Sequence, residues 1–216
     1  MSAIVTEKFR LHNATQFFES FTEASPNTYY LFIGKSSPFT STTTTGSDSS
    51  PPTPADAVGE TEYYAWDSML AAKKLTSSDV TRAIVRRNWV NGTTYDMYEH
   101  NISSSNAANS GATNIFDSNF YVINSANNVY KVIENDGATT STVEPTSTST
   151  AIFSTADGYR WKFMYSLTTA EATNFTTTDF IPVSTDSTVS AAAVDGALDT
   201  ILVVAGGSGY TLSSGT

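Results

Sequence analysis

The chain has 216 residues, 11 Lys and Arg against 21 Asp and Glu, and no cysteine. That length holds one large domain or two small ones, and the missing cysteines exclude disulfides and thiolate metal sites. A net charge of −10 disfavours nucleic acid as a partner, and two histidines (His12 and His100) are too few for a zinc site of nitrogen and sulfur ligands. No apolar run approaches the roughly 20 residues of a membrane span, and MSAIVTEKFR lacks the charged start and apolar core of a signal peptide. The chain therefore reads as soluble and made in the cytosol. Abundant Ser and Thr with 12% aromatics suit pleated surfaces better than helical bundles.

In chain order, residues 7–24 carry Leu11, Ala14, Phe17, Phe18 and Phe21 at near-helical spacing. The expected helix starts near Asn13-Ala14-Thr15 and stops at Ser25-Pro26-Asn27, with its aromatic stripe in the core. Tyr29 to Lys35 reads as a buried strand ending at Gly34 and the turn-like Ser36-Ser37-Pro38. Residues 40–56 (TSTTTTGSDSSPPTPAD) are of low complexity and cannot bury enough apolar surface to offset ordering entropy. They are expected as a surface loop or extended arm. Pro51, Pro52 and Pro54 lack the basic neighbour that a polyproline ligand would want.

Residues 54–76 show a second helical pattern through Tyr63, Tyr64, Trp66, Met69, Leu70 and Leu75. Glu60 and Glu62 come early and Lys73 and Lys74 late, as the helix dipole favours. Ala83 to Val85 then leads into Arg86-Arg87-Asn88-Trp89 and an Asn91-Gly92 turn. The arginine pair is most simply a solvated edge; an interchain salt bridge is the functional alternative.

After the polar stretch 103–114 comes the clearest hairpin, Phe120–Asn124 and Val129–Glu134, closed by Asn135-Asp136-Gly137. Asp157-Gly158 is a turn before a strand from Tyr159 to Leu167, which alternates Tyr, Trp, Phe, Tyr against Arg, Lys, Met, Ser. Thr169 to Asn174 fits one short helical turn, and Phe180–Val183 and Ile201–Val204 fit strands. The ending ILVVAGGSGYTLSSGT looks like the opening of a new β unit or a connector, with a frayed terminus as the plain alternative.

The expected fold is β-rich α+β: antiparallel sheets in sandwich- or barrel-like lobes, with one or two helices near the N-terminus. Three regions are expected. Residues 1–100 form a helix-containing β domain with the loop 40–56, residues 101–183 an antiparallel β lobe, and residues 184–216 a connector or a further β unit.

Catalytic arrangements do not assemble. His12 lies on the expected helix and His100 in a polar stretch, neither beside a Gly-x-Ser-x-Gly elbow. Glu60/Glu62, Glu134/Asp136 or Asp157 could be nominated as glycosidase carboxylates, but nothing selects a pair. Gly206-Gly207-Ser208-Gly209 lacks the Lys-Ser/Thr of a phosphate loop. No catalytic residue, cofactor or metal ligand is assigned, and no enzyme activity is expected. Aromatics beside single cations are instead interface chemistry. The candidate interface residues are Arg86, Arg87, Trp89, Tyr159 and Trp161.

Five motifs occur in order: AIVTEKFR (3–10), FIGKSSPF (32–39), the loop with Pro51-Pro52, Pro54 and Asp56, Arg86-Arg87-Asn88-Trp89 after Trp66, Met69 and Lys74, and DGYRWKFMYSL (157–167). Together they resemble the baseplate wedge subunits encoded by gene 8 of T-even-type contractile-tailed phages. The resemblance covers roughly residues 3–167, loosely around Val129–Glu134 and not beyond about residue 180. It implies a non-enzymatic virion component of the tail baseplate, assembled in the host cytoplasm. Such subunits are β-rich homodimers within each wedge that pack on other wedge proteins and move largely as rigid bodies when sheath contraction is triggered. A carbohydrate-binding or adhesin module of a tail fibre, suggested by Thr richness with Tyr159 and Trp161, is the competing reading. Glycan binding separates the two.

Overall fold

The computed structural model describes residues 7–34, 47, 49–50, 69–198, 201 and 207–209. Two compact units divide the chain, Met1–Thr81 and Arg82–Thr216.

In the first unit, α1 spans Glu7–Glu19. It is already helical six residues before Asn13, which is therefore interior and not a cap. The stripe is also less buried than its spacing suggests. Phe21 is buried, whereas Phe9, Leu11 and Phe17 are exposed. What α1 does pack is a cluster of three rings. Phe21 lies 4.6 Å from Tyr29 between centroids, and Phe17 meets both at 5.2 and 5.3 Å. Ser20 Oγ donates to the Phe17 carbonyl at 2.6 Å and shares a 2.9 Å hydrogen bond with Tyr29 Oη, fixing the helix end to the first strand.

That strand, β1 (Tyr29–Gly34), pairs antiparallel with β2 (Met69–Leu75), from Tyr29 opposite Leu75 to Gly34 opposite Met69. The helix expected over 54–76 is thus corrected for its last seven residues. Lys73 and Lys74 sit on a strand, and local periodicity gave way to cross-strand pairing. A single 3-10 turn, Ser77–Asp79, follows β2, with Asp79 accepting from the Thr76 N–H at 2.9 Å and paired with Lys73. The Ser36–Phe39 turn, the loop 40–56 apart from Ser47, Ser49 and Ser50, the pattern over 54–68 and the strand expected at 202–204 lie outside the described residues.

The second unit begins with β3 (Ala83–Val85), antiparallel to β8 (Phe180–Pro182). This pairing, with the bridge from Asn88 to Ile123, ties residues 83–90 to the later part of the chain. The boundary therefore falls after Thr81 and not near residue 100. A four-stranded antiparallel sheet forms the centre in the order β4 (Tyr121–Ile123), β5 (Asn128–Glu134), β7 (Arg160–Ser166), β6 (Phe153–Ser154). The expected β4–β5 hairpin is present. Its turn is held by Asn124 Oδ1, which accepts from the Ala126 and Asn128 N–H groups, with Asn127 left-handed at φ 61°.

Alternation along β7 is as read from the sequence, with Trp161, Phe163 and Tyr165 inward. Tyr95, Val122, Tyr130, Val132, Tyr159, Trp161 and Phe163 make one core cluster. Ile123, Val129, Tyr165, Leu167 and Ile181 make another. Two short helices complete the unit. In α2 (Thr169–Phe175), Thr168 and Glu171 form a capping box, and those hydrogen bonds lower the Glu171 carboxyl. The sequence reading missed α3 (Ser187–Ala192), whose Asp186 cap accepts from the Thr188 and Val189 N–H groups. The architecture is β-rich α+β with antiparallel sheets, and the described residues contain no closed barrel.

Candidate protein interface

The Asp157-Gly158 turn joins β6 to β7 and organises the aromatic core. Asp157 accepts from the Thr142 and Val143 N–H groups at 2.7 and 2.9 Å and from Ser141 Oγ at 3.0 Å on one carboxylate oxygen. Thr155 Oγ1 donates to the other. Trp89 Nε1 donates to Ser141 Oγ, and Trp161 Nε1 to Thr155 Oγ1, each at 3.1 Å. Two indoles thus converge through two hydroxyls on one carboxylate. Burial pushes the Asp157 carboxyl up, but the donors from Thr155, Val143, Thr142 and Ser141 outweigh it and hold it at about 2.

Gly158 is required twice. Its φ is +85°, and a Cβ there would lie 2.5 Å from Cγ of Asp136. Tyr159 stacks on Trp161 at 5.4 Å, and its Oη donates to the Thr139 carbonyl at 2.6 Å while accepting from the Tyr95 N–H at 3.1 Å. A second buried carboxylate, Asp96, collects Ser110 N and Oγ, Ser118 Oγ and Asn119 N, all within 2.8 Å. It pins the polar stretch that composition alone marked as a loop.

The five residues expected at an interface are distributed unequally. Tyr159 and Trp161 are each 0% exposed, which removes them from the surface and makes them core aromatics. Trp89 is half-buried against the same core. Arg86 is half-buried, donating to Asn88 Oδ1 at 2.9 Å and to the Thr177 carbonyl at 3.0 Å. Arg87 donates to Asn119 Oδ1 and to the Phe116 carbonyl, both at 2.6 Å, and lies over the Tyr121 ring at 6.0 Å. The acceptors these two guanidinium groups engage are neutral, so the groups brace loops and keep their charge.

The most exposed apolar surface lies elsewhere. On β1, Tyr30, Leu31, Phe32 and Ile33 are exposed, up to 64% at Tyr30, and Leu70 on β2 is 63% exposed. Successive strand residues face opposite sides, so both faces of this ribbon carry exposed apolar side chains. The sequence signal was present, because YYLFIG does not alternate, but such a run also reads as a strand buried on both sides.

A scan against protein-family models matches residues 3–143 to the family described as Bacteriophage T4, Gp8. This is more than half of the chain. The chain belongs to the Phage-Gp8 family. No curated protein matches it. The Gp8 family is one of structural proteins of the phage tail baseplate, which places the chain in the virion, at the baseplate. The matched span ends before Asp157, yet β7, which follows that turn, pairs along the length of β5 inside the span. Among the described residues no group of His, Cys, Asp and Glu is arranged to hold a metal, and no helix is long and apolar enough to cross a membrane.

Proposed function

We propose that this chain is a non-enzymatic wedge subunit of a contractile-tail baseplate. In this reading it assembles with other wedge proteins, forms a homodimer within each wedge, and takes part as a largely rigid body in the rearrangement that triggers sheath contraction. The observation that carries the reading is the β1–β2 ribbon. A two-stranded ribbon is marginal by itself in water, and one exposing apolar side chains on both faces gains stability when another protein covers it. The knot around Asp157 supports the rigid-body part, because it ties Trp89, Ser141, Thr155 and Trp161 into one hydrogen-bonded unit. Arg86, Arg87 and Trp89 remain the proposed contacts of the second unit.

Immunogold electron microscopy of virions, with antibody against this chain, tests the reading. Label at the sheath end around the baseplate is the expected result. Label confined to distal fibre tips would favour an adhesin, and unlabelled virions would remove the wedge assignment. Sedimentation of the purified chain, expected at twice its 23.1 kDa mass, tests the homodimer.

A further inference from the structure

We propose that the outward face of the four-stranded sheet is the docking surface for an acidic segment of a neighbouring baseplate protein. Its centre is a row of side chains across three strands: Tyr121 opposite Lys131, and Lys131 opposite Lys162. Their strand neighbours Tyr130, Val132, Trp161 and Phe163 are buried in the core, so strand alternation turns both lysines to the other face. Like charges directly opposite one another on a sheet repel, which makes this pairing a poor choice for the isolated chain.

The surroundings add charge and aromatic surface. Arg87 lies over the Tyr121 ring at 6.0 Å, and its buried Nε has no hydrogen-bond partner. Lys131 Nζ lies 5.8 Å from the Tyr98 ring centre, and the rings of Tyr98, Phe120 and Tyr121 follow one another edge to face. Tyr98 is 52% exposed and Phe116, whose carbonyl Arg87 holds, is 74% exposed. Aromatic anchors beside cations are the residue types that dominate protein contacts.

Nearby acids are already engaged. Glu99 accepts from Asn106, Asp117 from Asn114, and Glu134 from Arg160 at 3.3 Å. In a chain with 11 cations and 21 acids, a face holding Arg87, Lys131, Arg160 and Lys162 runs against the overall charge. Charge complementarity assigns it a carboxylate-bearing partner. A net charge of −10 repels a phosphate backbone at longer range, which favours a protein segment over nucleic acid.

This inference rests on the reading of the chain as an assembly subunit, and the experiment separates the two. Phage lacking the gene are grown on cells supplying the full-length chain, and its copies per particle are measured by quantitative immunoblot. Particles containing wild type but depleted at least about tenfold of Lys131→Glu/Lys162→Glu are expected, with Lys131→Arg/Lys162→Arg close to wild type. Normal incorporation of the Glu pair overturns the docking surface and leaves the assembly reading standing. Absence of wild type from baseplates overturns the assembly reading itself.

If circular dichroism shows the Glu pair unfolded, the neutral Lys131→Gln/Lys162→Gln pair takes its place with the same expectation. In solution, anisotropy of a fluorescein-labelled peptide of alternating Glu and Tyr should show wild type binding more tightly than the Gln pair, and less so as salt rises. Equal binding by both, or tighter binding of a labelled oligothymidylate, overturns the assignment.

Discussion

Replacing Gly158 by Ala tests the account of the turn that organises the second unit. Gly158 has φ +85°, where a side chain costs about 1–2 kcal/mol through the clash of Cβ with its own backbone. The added Cβ would also lie 2.5, 2.7 and 2.9 Å from Cγ, Oδ2 and Oδ1 of Asp136. Asp136 can yield, because in its turn it is held only by a 3.4 Å hydrogen bond from Thr139, so this part adds no more than about 1 kcal/mol. Urea unfolding should therefore show a loss of about 1–3 kcal/mol for Gly158→Ala. The double-mutant cycle with Asp136→Gly separates the two parts, since Gly at 136 removes the carboxylate and relieves a residue that itself sits at φ 49°. In that background the loss should shrink by about 0.5–1 kcal/mol. A loss below about 0.5 kcal/mol in the wild-type background refutes the backbone argument. An unchanged loss in the Asp136→Gly background refutes the contact with Asp136.

Three further outcomes follow from the same structure. Trp161→Ala removes a fully buried indole and its bond to Thr155, and should cost about 3–5 kcal/mol in urea unfolding; a cost near 1 would mean that the indole is not in the core. Asp157 has a carboxyl depressed from 3.8 to about 2, so its contribution is complete above about pH 4 and is lost as pH falls toward 2. The shift corresponds to at most about 2 kcal/mol, which solvent screening reduces to about 1. Wild type should therefore lose about 1 kcal/mol more than Asp157→Asn between pH 5 and pH 2, and parallel acid limbs would refute the depressed carboxyl. Leu31→Glu/Ile33→Glu places charges on exposed ribbon positions, and should leave the unfolding free energy of the purified chain within about 0.5 kcal/mol while lowering incorporation into particles. Normal incorporation would take that side of the ribbon out of the wedge interface.

Legibility in the sequence differed between the two units for a physical reason. In the second unit the alternation of Tyr159 to Leu167, the Asn-rich turn after Ile123 and the Asp157-Gly158 pair each specify local geometry, and the long-range pairing agrees with them. Local and global preferences coincide there, so period-2 patterning located β4, β5 and β7. The partnership of β3 with β8 was hidden, because three-residue strands nearly a hundred positions apart carry no local signal of pairing. The knot was half visible. Asp157-Gly158 reads as a turn, but the convergence of Trp89 and Trp161 on one carboxylate depends on Ser141 and Thr155 arriving from separate segments.

The first unit misled the sequence reading in an informative way. Phe17, Leu31, Phe32 and Ile33 form patterns that belong inside a protein, and the natural inference was a core. The chain by itself leaves them exposed. Hydrophobic patterning records what is covered in the functional state, whether the cover comes from the same chain or from a neighbour. An enzyme of this size would be expected to resolve that conflict by folding the apolar run inward. A subunit selected to assemble does not need to, since the partner supplies the missing layer and the free-energy gain on covering the ribbon favours association. The lysine row on the second unit obeys the same logic in electrostatic form. Lys131 opposite Lys162 is unfavourable in the isolated sheet and becomes favourable once carboxylates lie across it. Both features are defects of a solitary molecule, and both become contacts in an assembled one.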